Sequence, residues 1–86
     1  MALHRAVAVA EVDGPAAALS LVDGLRDSRL DDYHLFHAIR ADLLRRVGRI
    51  ADAAESYEAA IARAGNVTER AFLFRRLAQT TAAGPN

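Results

Sequence analysis

The chain has 86 residues and no cysteine, so its length fits one small domain, and neither a disulfide framework nor a cysteine-based zinc site can form. Its 11 basic and 11 acidic side chains give a formal net charge of zero. Residues 1–43 carry four arginines against seven acids, and residues 44–86 carry seven against four. This polarity is too weak to predict nucleic-acid binding by itself.

The apolar stretches are too short to cross a membrane, since none approaches the ~18 residues of a spanning helix. An alanine- and valine-rich stretch opens the chain, but Arg5 interrupts it, and Glu11 and Asp13 follow it directly. This pattern favours a helix of a packed domain over a signal peptide. We therefore expect a cytoplasmic protein with no membrane partner.

The first third of the chain predicts two helices. The first covers residues 2–12, with one apolar face formed by Leu3, Ala6, Val7 and Ala10. The turn Asp13-Gly14-Pro15 ends it, because glycine permits the turn and proline is tolerated in the first turn of a helix. The second helix covers residues 15–26, although Gly24 weakens its end. Its inward residues are Ala18, Leu19, Val22 and Leu25.

Residues 31–64 predict a second pair of helices. Asp31 or Asp32 is expected to cap the first of them, which runs to Val47. Gly48 can take a positive φ without a Cβ clash, so it suits the break between the two helices. The second helix of this pair covers residues 50–64.

A fifth helix is predicted over residues 67–82. Asn66, with Glu69 three residues later, forms a capping-box pattern at its start. Large apolar residues crowd this helix: Phe72, Leu73, Phe74 and Leu77. Adjacent large residues on a helix cannot all point one way, so at least one should be exposed. Exposure of Phe74 would mark an interface.

The two helix pairs share an internal period. Five small or apolar positions have a counterpart 35 residues later: Ala6, Val9, Ala18, Val22 and Leu25 match Ala41, Leu44, Ala53, Tyr57 and Ala60. Small residues stand where helices must approach, and large ones fill between them. The spacing resembles the tetratricopeptide (TPR) repeat. We expect an all-α fold: a short right-handed TPR-like array of two hairpins (2–26 and 31–64) and a capping helix (67–82).

The TPR register predicts a concave binding surface. The first helix of each TPR pair lines the groove, which places six residues there: His34, Ala38, Asp42 and Arg45, with Val7 and Glu11. The alternative is a solvated helix face with an Asp42–Arg46 ion pair worth a few tenths of a kcal/mol.

The sequence contains few residues in patterns typical of catalysis or metal binding. His34 and His37 lie at i and i+3 and are weak metal candidates, because two ligands without a third make a poor site. His37 more readily fits a half-buried packing position. The serines lack a nucleophile context, and the chain has no phosphate-binding glycine loop. We therefore expect no enzyme, no cofactor and no metal.

Three segments cover nearly the whole chain: LHRAVAVAEVDGPAAAL, DDYHLFHAIRADLLRRVGR and AAESYEAAIARAGNVTERAFLFRRL. In order and spacing they resemble the C-terminal TPR-like domain of a subgroup of extracytoplasmic-function (ECF) RNA polymerase sigma factors. The middle segment is the most specific, with Tyr33-His34-Leu35 followed by Ala41-Asp42-Leu43-Leu44-Arg45-Arg46.

The resemblance implies a regulatory domain in transcription initiation. Its partners would be the promoter-recognition domains of the same sigma factor, RNA polymerase, or both, and promoter DNA would be contacted only through those other domains. Because the array is short, we expect a piece of a longer protein or a chain that pairs with another copy as a homodimer. The alternative function is a ligand- or metal-sensing helical domain that gates transcription.

Overall fold

The computed structural model describes residues 2–25 and 32–82, and within these ranges the chain is all α-helical, as predicted. The five helices are α1 (Ala2–Asp13), α2 (Pro15–Gly24), α3 (His34–Arg46), α4 (Ile50–Arg63) and α5 (Val67–Ala82). None of the helices in these ranges combines the length and apolar character that a membrane span requires.

Two glycines make the tight turns within the helix pairs. Gly14, between α1 and α2, has φ +96°, and Gly48, between α3 and α4, has φ +89°. At the second turn the Gly48 N–H donates to the Arg45 carbonyl (3.1 Å) and the Arg49 N–H to the Leu44 carbonyl (2.9 Å). This is the Schellman arrangement, which satisfies the last carbonyls of α3 and explains why glycine follows the helix.

The predicted aspartate cap of α3 is wrong for Asp32, and Asp31 lies outside the described residues. The helix begins later than expected, with Tyr33 at the N-cap and no side-chain cap hydrogen bond. The Tyr33 carbonyl accepts the Phe36 N–H at 3.1 Å, and Asp32 stands exposed one position too early to cap. In contrast, the Asn66 cap of α5 is confirmed, because its Oδ1 accepts the Glu69 N–H at 2.8 Å. The predicted end of α2 at Arg26 also lies outside the described residues.

The helices pack mainly on their chain neighbours. Each helix contacts the next one along the chain, and α1 also touches α3. The first core joins α1, α2 and α3 with one alanine of α4, and its buried residues are Leu3, Ala6, Ala10, Ala18, Leu19, Val22, Phe36, Leu43, Leu44 and Ala53. The second core joins α3, α4 and α5 through Ala41, Tyr57, Ala60, Ile61 and Leu73. Burial of apolar surface in these two cores is the main stabilising term of the fold.

Burial follows the predicted internal period. The alanine pairs Ala6/Ala41 and Ala18/Ala53 are fully buried, as expected for positions where helix backbones approach. Val22 and Tyr57 occupy equivalent buried positions with side chains of very different size. The match is incomplete, because Val9 and Leu25 are only partly buried while Leu44 and Ala60 are fully buried.

A largely buried arginine, Arg40, joins three helices. The Arg40 guanidinium on α3 donates from Nε to the Asp23 carboxylate of α2 (2.7 Å) and from Nη1 to the Ser56 hydroxyl of α4 (3.0 Å). Its side chain is 18% exposed. Arg40 therefore links the first helix pair to the second by polar contacts beside the apolar core.

Candidate functional site: a groove across α1, α3 and α5

Two cavities lie on either side of α3 and share Ala38. The α1 cavity, between α1 and α3, has a volume of about 160 Å³ and is lined by Val7, Ala10, Ala38, Ile39, Asp42, Leu43 and Arg46. The α5 cavity, between α3 and α5, has a volume of about 210 Å³ and is lined by His34, Leu35, Ala38, Glu69, Phe72 and Leu73. Because Ala38 borders both, we treat the two cavities as one surface, called here the groove.

Helical spacing explains which side of α3 faces the groove. His34, Ala38, Asp42 and Arg46 follow one another at intervals of four residues, which places them along one face of the helix. The short side chain of Ala38 stands in the middle of this row. Ala38 is the residue that lines both cavities.

Three arginines approach the carboxylate of Asp42, which lines the α1 cavity. Arg45 donates to Asp42 with Nη2 to Oδ1 at 2.7 Å. Arg46 Nη1 lies 3.6 Å from Oδ2 of the same carboxylate, and Arg76 Nη2, on α5, lies 3.6 Å from Oδ1. Asp42 thus ties α3 to α5, but only its contact with Arg45 has hydrogen-bond length.

The contact with Asp42 alters the titration of Arg45. The hydrogen bond to Asp42 raises the pKa of the Arg45 guanidinium above its ordinary value, against burial, which lowers it. The Tyr57 hydroxyl is near enough to add to the increase, although its geometry is not that of a hydrogen bond. Within the described residues, the buried Tyr57 hydroxyl and Arg45 Nε have no hydrogen-bond partner.

The α5 side of the groove presents an exposed aromatic ring. Phe72 is 49% exposed, and the Arg76 guanidinium lies over its ring at 5.6 Å from the centroid. This distance suits a cation–π contact. At the N-terminal end of α5, Glu69 Oε1 lies 2.6 Å from His34 Nε2 and closes that end of the groove.

The structure brings together four of the six residues predicted for the groove. Val7, Ala38 and Asp42 line the α1 cavity, and His34 lines the α5 cavity. Arg45 lines a different cavity, of about 330 Å³, with Ile50, Arg76, Gln79 and Thr80. Its guanidinium still reaches the groove through Asp42. Glu11 is exposed one helical turn beyond Val7 and lines neither cavity of the groove.

Helix α5 contributes to this surface, although the predicted groove contained no residue of it. Phe72 and Glu69 line the α5 cavity, and Arg76, which lines the same cavity of about 330 Å³ as Arg45, reaches Asp42 and the Phe72 ring from there. None of the three was predicted for the groove. The Phe72–Arg76 spacing of four residues was a usable signal, since it places an aromatic ring and a cation on one face of a helix. The expected exposure of a large residue on α5 is confirmed, with Phe74 54% exposed and Leu73 3% exposed.

The two histidines of α3 occupy different surroundings. His37 is 3% exposed, which is deeper than the half-buried position expected for it, and its ring packs edge-on against Phe36 at 5.1 Å. It lines a cavity with Arg40 and Arg49, whereas His34 faces Glu69. Across residues 2–25 and 32–82, no group of three His, Cys, Asp or Glu side chains is placed to hold a metal ion.

Comparison with known proteins gives one informative relative. A protein of Rhizobium meliloti (strain 1021), described as uncharacterized, is 41% identical over 75 residues. The matched part is 87% of this chain but 18% of the relative, so the chain spans less than a fifth of that protein's length. No protein-family profile and no solved structure matches the chain.

Proposed function

We propose that this chain is a regulatory protein-interaction domain of an ECF sigma factor and that its helices form a short right-handed TPR-like array. In this proposal α1/α2 and α3/α4 are the two hairpins, and α5 caps them. The domain acts in the cytoplasm on transcription initiation and carries out no catalysis. Its partners are the promoter-recognition domains of the same sigma factor or RNA polymerase.

Helix packing supports the TPR-like arrangement. Helices pack in chain order, and the first helices of the two pairs, α1 and α3, also touch. This is the pattern expected when hairpins stack in register. Ala6 and Ala41 are both fully buried, as are Ala18 and Ala53, so residues 35 positions apart occupy equivalent places in the core.

The groove is the single observation that carries the binding function. Val7 on α1 and Phe72 on α5 expose 45% and 49% of their surface, and both border cavities that meet at Ala38. Exposed apolar side chains around a concave surface are typical of protein-interaction sites. A helix or extended segment laid along such a groove would cover them.

The sigma-factor assignment depends on the three sequence segments that resemble that family. The length of the Rhizobium relative fits this assignment, because a domain fused to others would match only a fraction of a longer protein. Contacts between the groove and the fused domains would give a means of control without a separate inhibitory protein. The proposal therefore places the regulatory contact at the groove.

Titration calorimetry tests the proposal. This chain is titrated with the separately prepared promoter-recognition domains of the sigma factor, and saturable binding is expected. Phe72→Ala should weaken the binding by at least about tenfold, the loss of a well-buried contact worth about 1.4 kcal/mol.

Val67→Ala is the control, because Val67 is 82% exposed on the same helix but lines neither cavity of the groove, whereas Phe74 stays a predicted interface residue. It should leave the affinity unchanged. Absence of binding at high micromolar concentration, for these domains and for polymerase, would refute the proposal. Equal losses in the two variants would move the contact away from the groove.

A further inference from the structure

We infer that the segment bound in the groove is acidic and carries a large apolar side chain close to its carboxylate. The carboxylate would lie between Arg46 and Arg76, and the apolar side chain would enter the α5 cavity beside Phe72. This inference rests on the proposed function, since it specifies the chemistry of the partner at the same groove.

The cluster around Asp42 has more hydrogen-bond donors than its carboxylate can accept from. The Asp42 carboxylate offers two oxygens to three guanidinium groups, each with five N–H donors. Arg45 holds the short contact at 2.7 Å, whereas Arg46 and Arg76 remain at 3.6 Å. Their side chains are 32% and 40% exposed, so a second carboxylate can reach them from solvent.

The positions of the other charges agree with an acidic partner. His34 and Asn66 already contact the carboxylate of Glu69, at 2.6 and 3.3 Å. Glu11 is exposed one turn past Val7 and lines neither cavity of the groove. Apart from Asp42, Glu69 is the acid that lines the groove, and its carboxylate is already in contact with His34 and Asn66. Three guanidinium groups against one carboxylate leave a surplus of positive charge around Asp42.

The contact between Arg76 and Phe72 links the charge to an apolar site. Because the guanidinium lies 5.6 Å from the ring centroid, the binding point for a carboxylate is adjacent to an exposed aromatic surface. Leu35, Ala38 and Leu73 complete the apolar wall of the cavity on that side. A Glu or Asp next to a Leu, Ile or Phe on one partner segment would satisfy both features.

Selection from a displayed library of random linear peptides tests this chemistry with the intact chain as bait. We expect the enriched peptides to contain Asp or Glu together with a large apolar residue. One enriched peptide is then synthesised with a fluorescent label, and its affinity is measured by anisotropy at low and high salt. The doubly substituted chain Arg46→Gln, Arg76→Gln should bind at least about tenfold more weakly, with a reduced salt dependence.

Arg70→Gln is the matched control. Arg70 is exposed on α5 but, unlike Arg76, is not one of the arginines that approach Asp42 or lie over Phe72, so its loss should leave the affinity unchanged. Replacing Glu by Gln in the peptide should weaken binding as much as the double arginine change does. Thermal denaturation of each variant, followed by circular dichroism, separates lost binding from lost folding.

Several outcomes overturn the inference. Enrichment of neutral or basic peptides, failure to enrich any groove-dependent peptide, or equal losses with Arg70→Gln would each do so. So would an arginine-dependent affinity for a single-stranded DNA oligonucleotide in place of the acidic peptide. If acidic peptides bind as expected but the promoter-recognition domains do not, the inference of an acidic segment is supported and the proposed sigma-factor partner is refuted. If those domains bind while the selected peptides are not acidic, the present inference alone falls.

Discussion

Nε2 of His34 lies 2.6 Å from Oε1 of Glu69, and this contact joins α3 to α5 at one end of the groove. The side chains are 27% and 40% exposed, whereas the Oε1 atom itself is buried and, within the described residues, makes an ion-pair contact without hydrogen-bond geometry. A double-mutant cycle with His34→Ala and Glu69→Ala should give a coupling free energy of about 0.5–1 kcal/mol in urea unfolding. The Arg49–Asp52 pair, at 52% and 46% exposure, is the control and should give less. A coupling no larger than that of the control would contradict a structural role for this contact.

Removal of the buried Tyr57 hydroxyl should not destabilise the chain, because this hydroxyl has no hydrogen-bond partner within the described residues. Tyr57 is 2% exposed, and its hydroxyl makes no hydrogen bond within the described residues. Because an unsatisfied buried hydroxyl costs roughly 1–3 kcal/mol, Tyr57→Phe should leave the free energy of unfolding unchanged or raise it by up to about 1 kcal/mol.

The control is Tyr57→Ala, which removes the ring and should cost about 3–5 kcal/mol. Both values come from chemical denaturation. A loss above about 1 kcal/mol for Tyr57→Phe would mean that the hydroxyl is satisfied by water or by Arg45.

Gly48 and Gly24 should respond in opposite ways to the same substitution. At φ +89°, Gly48 occupies a left-handed conformation that L residues adopt at a cost of about 1–2 kcal/mol, so Gly48→Ala should destabilise the chain by that amount. Gly24 is the last residue of α2, has no positive φ and has open space where a Cβ would be placed. Gly24→Ala should therefore stabilise by a few tenths to about 1 kcal/mol. Thermal unfolding of both variants checks the sign, and destabilisation by both would be inconsistent with this account.

The sequence was most informative where local chemistry decides the structure. Helix type, the positive φ of Gly48 and the Asn66 cap follow from short-range rules, and the structure agrees with them. Alanine positions were also predictable, because a 35-residue period marks places where helices approach. The start of α3 was not predictable in this way. Two adjacent aspartates, Asp31 and Asp32, both suit an N-cap, but the N-cap residue is Tyr33.

Groove composition was harder to predict, because it depends on how α5 rotates about its own axis. Phe72, Leu73 and Phe74 are consecutive, and their hydrophobicity does not rank them for burial. In the structure Leu73 enters the second core, which turns Phe72 towards α3 and leaves Phe74 on the outer face. Contacts between residues far apart in the sequence, such as Asp42 with Arg76, depend on how the helices pack and cannot be predicted from the sequence pattern.

Arg40 should contribute more to stability than an arginine on the surface. It donates to Asp23 and Ser56 on two other helices, and its side chain is 18% exposed. Arg40→Gln should lower the free energy of unfolding by about 1–2 kcal/mol, since hydrogen bonds to charged groups are the stronger ones. Arg49→Gln, which loses a half-exposed pair with Asp52, should change it by less than about 0.5 kcal/mol. Equal effects in guanidinium unfolding would show that Arg40 does not link the two helix pairs.

Leucine substitutions at two alanines of α4, one buried and one exposed, distinguish the effect of tight helix packing from that of helix propensity. Ala60 is fully buried in the second core with Tyr57 and Leu73, whereas Ala62 is exposed on the same helix. Ala60→Leu adds a branched side chain where no space remains, and overpacking of this kind costs about 1–3 kcal/mol. Ala62→Leu meets only solvent and, because leucine is a good helix former, should change stability by less than about 0.5 kcal/mol. Urea unfolding of both variants measures the difference, and a tolerated leucine at position 60 would mean that α5 moves easily away from α4.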